Sequence, residues 1–208
     1  MLDGRAPANN SPIRVNIIPG SKVRYSGGGF VVMQQLVIDV ASQPFSQYLN
    51  TFVLQPLGMT NSTFEQPLAE SKAPNAAHGY YAGRTAVKHG WHIYPEIAAA
   101  GLWTTPTDLA RYVIAIQQTF AGKCAPVISQ SLTREMLTPQ KENVGLGLML
   151  THHYFAHEGR NEGFDCLLIG NTETGSGLIL MLNANDDTGV LQSLKKFIAH
   201  TYQWPRSQ

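Results

Sequence analysis

The spacing of apolar residues along the chain changes near residue 145. Before that point apolar residues recur every three or four positions, as in the stretch 32–40, which predicts amphipathic helices. After it they alternate or form short blocks, as in 178–182, which predicts strands. We therefore predict an α+β fold in one domain, residues 1–208, with an antiparallel sheet flanked by helices. Residues 19–144 form the mainly helical and loop part, and residues 145–208 form the sheet hairpin with a C-terminal helix.

Four helices are predicted. The second spans about 45–54, and the third begins at Thr105, where threonine suits the N-cap and Pro106 suits the first turn. The last spans about 187–202 and closes the chain. The apolar stripe of the first helix consists of Val32, Met33, Leu36, Val37 and Val40. The residues of the last helix expected to face inward are Leu191, Leu194, Phe197 and Ile198.

Strands are predicted at 166–169 and 178–182, with a tight glycine-rich turn at 174–177 between them. Leu146, Leu148 and Leu150 alternate with small or adaptable residues in the same way. Residues 60–100 form a long irregular connection rich in glycine, aromatic residues and histidine. Long connections in compact domains are usually functional or disordered.

Composition narrows the classes of partner. Charged residues make up 14% of the chain, well below the usual quarter, and apolar residues make up 43%. Such a chain buries much of its surface or has a partner to cover it. The net charge of +1 gives no electrostatic case for nucleic acid or an anionic membrane, and we predict no membrane-spanning segment. Cys124 and Cys166 could pair, although two free, partly buried thiols are favoured.

Two short segments could carry chemistry. In 25–30, Tyr-Ser-Gly-Gly-Gly-Phe, a tyrosine precedes three glycines that let a backbone approach a ligand closely. A phenol with a pKa near 10 acts as a base at neutral pH only where cations favour the phenolate. The second segment, 157–159, is His-Glu-Gly. Taken singly, each has a structural explanation as well, namely a packed aromatic before a helix and a half-exposed strand histidine.

When their order along the chain and the surrounding sequence are considered, the two segments resemble two active-site motifs of a known family. These are the second and third motifs of the serine β-lactamase and penicillin-binding-protein-like hydrolases, the class C β-lactamase-related group. Residues 25–64, 98–116 and 155–183 are also similar to that family's regions around these motifs, and the resemblance covers most of 19–200. It implies a partial β-lactamase/transpeptidase-like fold and hydrolysis of an ester, amide or β-lactam through an acyl-enzyme. It also implies no cofactor, no metal and a small-molecule or peptide substrate.

The resemblance assigns catalytic roles to Tyr25 and His157. The tyrosine would take the proton of the nucleophile and later pass one to the leaving group. His157 stands where the family often has lysine, and it would hold a substrate carboxylate or support the phenolate. The histidine favours an esterase-like or peptidase-like member over a strong penicillin binder.

Substrate-binding roles fall on Gly27, Glu158, Gly159 and Arg160. Gly159 keeps the strand free of a side chain, and the amide of Arg160 matches one donor of the oxyanion hole. Gly27 departs from the family, which usually has asparagine there, so that amide contact is lost or supplied elsewhere.

The nucleophile motif of the family, S-x-x-K, is expected upstream of both segments and is not found there. Residues 193–196 match the spacing but come after both motifs, so we interpret them as a solvent-exposed helix face. We therefore expect the C-terminal portion of a serine hydrolase, inactive alone, which self-associates or binds a complementing N-terminal segment. The alternative is a catalytically dead module that binds a peptide or a cell-wall fragment. The resemblance suggests a periplasmic or secreted location, which the sequence leaves open.

The histidines also raise the question of a metal site. His89, His92, His152 and His153 join His157 as candidate ligands. No H-E-x-x-H sequence is present, and a zinc site needs three or four converging ligands. Packing or surface positions are the favoured explanation.

Overall fold

The structure, a computed structural model, describes residues 3–6, 8 and 10–204. The α-helices in this part of the chain are α1 Gly27–Ala41, α2 Phe45–Leu49, α3 Ile97–Ala100, α4 Pro106–Phe120, α5 Gln130–Met136 and α6 Val190–Thr201. The strands are β1 Met149–Thr151, β2 Tyr154–Asn161, β3 Phe164–Asn171 and β4 Gly177–Leu182. They form one antiparallel sheet in the order β1-β2-β3-β4. The predicted α+β fold with an antiparallel sheet is confirmed.

The second and third predicted helices lie where their patterns place them. Helix α2 continues into a π-helical turn, Asn50–Leu54, so the two together match the predicted span. Thr105 caps α4, its Oγ1 accepting a hydrogen bond from the amide of Asp108 at 3.2 Å. The Asp108 carboxylate is fully buried, and it accepts hydrogen bonds from the amide and hydroxyl groups of 61–62. That carboxylate therefore ties the start of α4 to the loop after the π turn.

The main core lies between α4 and the sheet. It consists of Val113, Ile116, Leu148, Leu150 and Phe155. Gly170 lies opposite Phe155 in the β2–β3 register, and a Cβ there would overlap the aromatic ring. The glycine thus allows the phenylalanine to lie flat across the neighbouring strand.

Two predicted apolar faces are found at the surface. Helix α1 forms as predicted, but most of its stripe is exposed, with Val40 at 78%. In α6, Phe197 is 68% exposed and Leu194 is 38% exposed, so their predicted inward orientation is wrong. The physical reason is that nothing among the described residues covers these faces.

None of the helices in the described part of the chain combines the length and the apolar character needed to cross a bilayer.

Asp186 holds the start of α6, whose N-cap residue, Gly189, has no side chain to do so. Its carboxylate accepts hydrogen bonds from the amides of Leu191 at 2.9 Å and Thr188 at 3.0 Å. The amide of Leu191, followed by those of Val190 and Thr188, lowers the pKa of Asp186 from 3.8 to about 2. This contribution to stability is therefore present above pH 3.8 and is lost as the pH falls towards 2.

We expect Asp186→Asn to remove this acid-dependent loss of α6. Circular dichroism of the wild type and the variant between about pH 5 and pH 1, an interval that extends beyond both pKa values, measures it. Asp187→Asn, at the neighbouring exposed carboxylate, is the matched control. Identical acid profiles for the wild type and Asp186→Asn would contradict the role of the carboxylate.

Candidate active-site cleft

The tyrosine and histidine singled out from the sequence lie side by side. Tyr25 comes immediately before Ser26, the N-cap of α1, whose Oγ accepts a hydrogen bond from the amide of Gly29 at 3.1 Å. The tyrosine side chain is 77% exposed, and its ring centroid lies 6.1 Å from that of His157, with the planes at 45°. Segments far apart in sequence therefore meet at one surface, where a single small molecule can touch both.

Alternation along β2 decides which side chains face this cleft. His157 and Gly159 share a face of the sheet with Phe155, which packs against α4. Glu158 points to the opposite face, where its carboxylate accepts a 3.5 Å hydrogen bond from Gln192 of α6. Arg160 lies on that opposite face as well, with its guanidinium 3.6 Å from the carboxylate of Asp165.

Glu158 and Arg160 contribute to the cleft through the main chain. A two-residue hairpin joins β2 to β3, so the flanking pair, Asn161 and Phe164, exchanges backbone hydrogen bonds. Alternation from that pair directs the N–H and C=O groups of Glu158 and Arg160 away from β3. Strand β1 pairs only with residues 154–156. Among the described residues, the edge of β2 beyond Ala156 has no strand partner.

Gly159 allows close packing at the centre of this edge. A Cβ at that position would lie 2.6 Å from Sγ of Cys166, its partner on β3. Burial raises the pKa of the Cys166 thiol, Asp165 raises it further, and a hydrogen bond with the Gly159 backbone opposes the shift. The strand is therefore bare at Gly159, and the thiol behind it is protonated at neutral pH.

Both cysteines are free thiols, and we expect them to react at different rates. Cys124 is exposed, whereas Cys166 is partly buried with its pKa raised, and the thiolate is the reactive form. Iodoacetamide at pH 8 should modify Cys124 rapidly and Cys166 slowly, as measured by peptide mass spectrometry. Equal rates in the folded chain would contradict the burial of Cys166, and equal rates in urea provide the control.

Helix α3 joins the two halves of the cleft. The amide side chain of Gln34 in α1 accepts a hydrogen bond from the amide of Ala98 at 2.8 Å and donates one to Pro95 at 3.4 Å. From the other side, Asn161 donates to the carbonyl of Ala100 at 3.0 Å. These contacts fix α1, and with it Tyr25, relative to β2.

The positioning roles of Gln34 and Asn161 were missed in the sequence. Gln34 lies on the polar face of α1, which the apolar pattern places outward, yet that face packs against α3. In a sequence, neither a glutamine nor an asparagine indicates a positioning contact of this kind, because the contact depends on the fold. Gly27, the first residue of α1, would place a Cβ 3.8 Å from that of Ala99, so the helix start also has room beside α3.

The remaining candidates lie apart from the cleft. Residues 193–196 are on α6, which contacts the sheet face opposite His157 through Gln192. His92 is 3.2 Å from the hydroxyl of Tyr81, and His153 is 3.6 Å from the carboxylate of Glu173. Across residues 3–6, 8 and 10–204, no three or more histidine, cysteine, aspartate or glutamate side chains group as a metal site.

Known proteins share this fold. D-alanine carboxypeptidase AmpC from Burkholderia cenocepacia superposes with a TM-score of 0.72 at 15% identity, over 90% of this chain and 64% of that one. D-amino acid amidase from Ochrobactrum anthropi SV3, solved with D-phenylalanine, gives a TM-score of 0.66 at 24% identity, over 88% of this chain and 63% of the amidase. Both have the same arrangement of sheet and helices over most of this chain.

Sequence comparison gives the family. Protein flp from Staphylococcus aureus (strain N315) is 24% identical over 177 residues, which cover 81% of this chain and 35% of flp. The chain thus spans about a third of the length of that relative. The family model described as Beta-lactamase matches residues 5–203, nearly the whole chain. The chain belongs to the beta-lactamase family of serine hydrolases.

Proposed function

We propose that this chain supplies the proton-transfer and oxyanion-binding half of an acyl-hydrolase site. Tyr25 is the general base and acid, His157 is the cation beside it, and the amide of Arg160 is an oxyanion donor. The observation that carries the proposal is the 6.1 Å approach of the Tyr25 and His157 rings. They lie next to the edge of β2 that has no strand partner among the described residues.

The chemistry follows from these positions. As a serine oxygen attacks the carbonyl carbon, its proton passes to the phenolate of Tyr25. Charge builds on the carbonyl oxygen, and the outward N–H of Arg160 stabilises it, a contribution worth about 3–4 kcal/mol for one such donor. When the intermediate collapses, Tyr25 returns the proton to the leaving group. Water then attacks the acyl-enzyme and releases the acid by the same steps in reverse.

His157 lies beside the phenol of Tyr25. There its imidazole can bind a substrate carboxylate while the tyrosine transfers the proton. Since Tyr25 is largely exposed, this arrangement gains strength once substrate or a covering segment excludes water.

The edge of β2 favours an extended substrate. The outward backbone groups of Glu158 and Arg160 offer a short ladder to a peptide-like acyl chain, and Gly159 between them presents no side chain. We propose that the substrate is a small ester or amide, or a D-amino-acid peptide. The D-phenylalanine bound by the Ochrobactrum amidase supports D-amino acid amides as the first class to test.

The nucleophile, we propose, comes from a segment outside this chain, so that residues 1–208 form an incomplete domain that is inactive alone. The chain spans 64% of the carboxypeptidase AmpC, so the matched fold contains further elements. The exposed apolar face of α1 suits such an element. Beside it lies a groove of about 330 Å³ lined by Leu36, Val37, Val40, Ala41 and Tyr48.

A catalytically dead module that binds a peptide or a cell-wall fragment is the second candidate. It is favoured by the separation of residues 193–196, the S-x-x-K match, from the cleft. Such a module would bind D-phenylalanine amide without turning it over. It would need no complementing segment.

Genomic DNA upstream of Met1 separates the two candidates. We expect an open reading frame that continues upstream and encodes S-x-x-K, and we expect the extended protein to be labelled by a fluorophosphonate probe while residues 1–208 alone are not. A stop codon with a ribosome-binding site directly before Met1, together with unlabelled protein, would support the binding module instead.

A further inference from the structure

Side chains from outside the sheet hold the turn between β2 and β3. The hydroxyl oxygen of Tyr94, in the loop before α3, accepts a hydrogen bond from the amide of Glu162 at 3.1 Å. The side-chain oxygen of Asn185, in the segment after β4, accepts one from the amide of Gly163 at 2.9 Å. Two successive amides of the turn are therefore bonded to two separate segments of the chain. We call Tyr94 and Asn185 the turn clamp.

Asn185 also bonds the strands on both sides of the turn. Its side-chain nitrogen donates to the carbonyl of Asn161, the last residue of β2, at 2.8 Å, and to the carboxylate of Asp165 at 3.0 Å. Asp165 is buried and lies opposite Arg160 in the β2–β3 register. Its second oxygen is 3.6 Å from the Arg160 guanidinium. One asparagine side chain therefore connects the turn to both strand ends beside Arg160.

Tyr94 is itself held in place. Its amide donates to the side-chain oxygen of Gln66 at 3.2 Å, and the nitrogen of the same side chain donates to the carbonyl of Gly101 at 3.0 Å. Burial raises the pKa of Tyr94 above its ordinary value of 10.0, and the carboxylates of Glu162 and Glu96 raise it further. The phenol is therefore protonated at neutral pH, and its oxygen accepts the turn amide as a neutral group.

Packing alone does not fix this end of β2. The outer side of the strand has no strand partner beyond Ala156 among the described residues. A cavity of about 460 Å³ lies against the turn, and it is lined by Tyr94, Arg160, Asn161, Glu162 and Asn185. A strand end with few packed neighbours opens locally unless hydrogen bonds hold it. The hydrogen bonds of the turn clamp are therefore in a position to determine where the end of β2 lies.

We propose that Tyr94 and Asn185 are positioning residues for the oxyanion donor, the outward N–H of Arg160. The inference rests on the proposed function, because it requires Arg160 to be that donor. An oxyanion donor acts at about 2.7–3.1 Å from the developing charge. A displacement of about 1 Å can therefore cost about 10²-fold in rate. The turn clamp prevents such a displacement by fixing the turn directly after the donor.

The first part of the test uses residues 1–208 themselves. Heteronuclear 15N–1H NOE values measure the order of the amides of Arg160, Glu162 and Gly163. We expect both Asn185→Ala and Tyr94→Phe to lower these values. The effect of Asn185→Ala should be larger, because it removes three hydrogen bonds and Tyr94→Phe removes one. Thermal unfolding verifies that each variant is folded, and the isosteric Tyr94→Phe decides the result if Asn185→Ala does not fold.

Two variants provide matched controls. Asn183→Ala removes an asparagine side chain that donates to the carbonyl of His78 at 3.0 Å, away from the turn. Tyr81→Phe removes a hydroxyl group that lies 3.2 Å from Nε2 of His92, in the same long loop as Tyr94. Both controls should leave the order of the turn amides unchanged.

The second part compares hydrolysis of an ester with that of the matching thionoester by the upstream-extended protein. Sulfur replaces the carbonyl oxygen in the thionoester, and sulfur is a weak hydrogen-bond acceptor, so this substrate gains little from an oxyanion donor. We expect Asn185→Ala to lower kcat for the ester by about 10–10²-fold and kcat for the thionoester much less. A loss of folded protein alone would lower both rates equally and leave their ratio unchanged.

Unchanged order of the Arg160 amide in both clamp variants would overturn the proposal, whatever their activity. Equal losses of ester and thionoester hydrolysis would also overturn it, as would equal effects of the control variants. A wild-type extended protein that hydrolyses neither substrate would contradict the proposed function instead. The oxyanion role of the clamp would then fail with that function, even if the NOE values showed that the clamp orders Arg160.

Discussion

Replacing Tyr25 by phenylalanine should lower kcat of the upstream-extended hydrolase by about 10²–10⁴-fold, the usual contribution of a general acid–base group. Only the hydroxyl that carries the proton is lost. The side chain is mostly exposed, so the fold and the affinity for substrate should change little. Steady-state hydrolysis of D-phenylalanine amide and p-nitrophenyl acetate measures the effect.

Tyr202→Phe provides the matched control for this change. Tyr202 is similarly exposed but caps the end of α6, whose contact with the sheet is on the face opposite His157. The kcat of the Tyr202→Phe variant should equal that of the wild type. If Tyr25→Phe also retained full activity at every pH, Tyr25 would have no part in proton transfer.

Gly159→Ala should destabilise the chain by about 1–3 kcal/mol, the range for a methyl group forced into a packed site. The new Cβ would meet Sγ of Cys166 at 2.6 Å. The measurement is the free energy of unfolding in urea. Gly27→Ala, whose Cβ would have an ordinary 3.8 Å contact with Ala99, serves as the steric control and should change stability little.

Adding Cys166→Ala separates packing from function at Gly159. The double variant removes the sulfur, so most of the lost stability should return. Hydrolysis by the extended protein should remain impaired, because the methyl group still projects from the strand along which substrate lies. Recovery of both stability and activity would show that Gly159 serves packing alone.

Local patterns predicted several elements of this fold, although they missed the short helices α3 and α5. Thr105 and Pro106 marked the start of α4, and the apolar block at 178–182 marked β4, because caps and strands depend on neighbouring residues. The exposure of α1 and of Phe197 was not predictable in the same way. An apolar stripe shows that a helix face requires a partner, but it does not show whether this chain supplies one.

The candidate site was predicted in part. Tyr25 and His157 stood out by motif, and the structure brings their rings together. Gln34 and Asn161 were not predicted, because their contacts with α3 span 64 and 61 residues of sequence. The sequence also did not reveal that Glu158 and Arg160 direct their side chains away from the cleft, since that depends on the register of β2.

The central claim is that a phenol and an imidazole from distant segments of the chain, Tyr25 and His157, share one cleft. Nuclear Overhauser spectroscopy on chain labelled at tyrosine and histidine tests it directly, with His157→Ala used to assign the imidazole signals. We predict cross-peaks between the ring protons of Tyr25 and His157, as their centroid distance of 6.1 Å requires. If the folded protein shows no such cross-peaks while those between the rings of His92 and Tyr94, 6.3 Å apart, are present, Tyr25 and His157 do not form a common site.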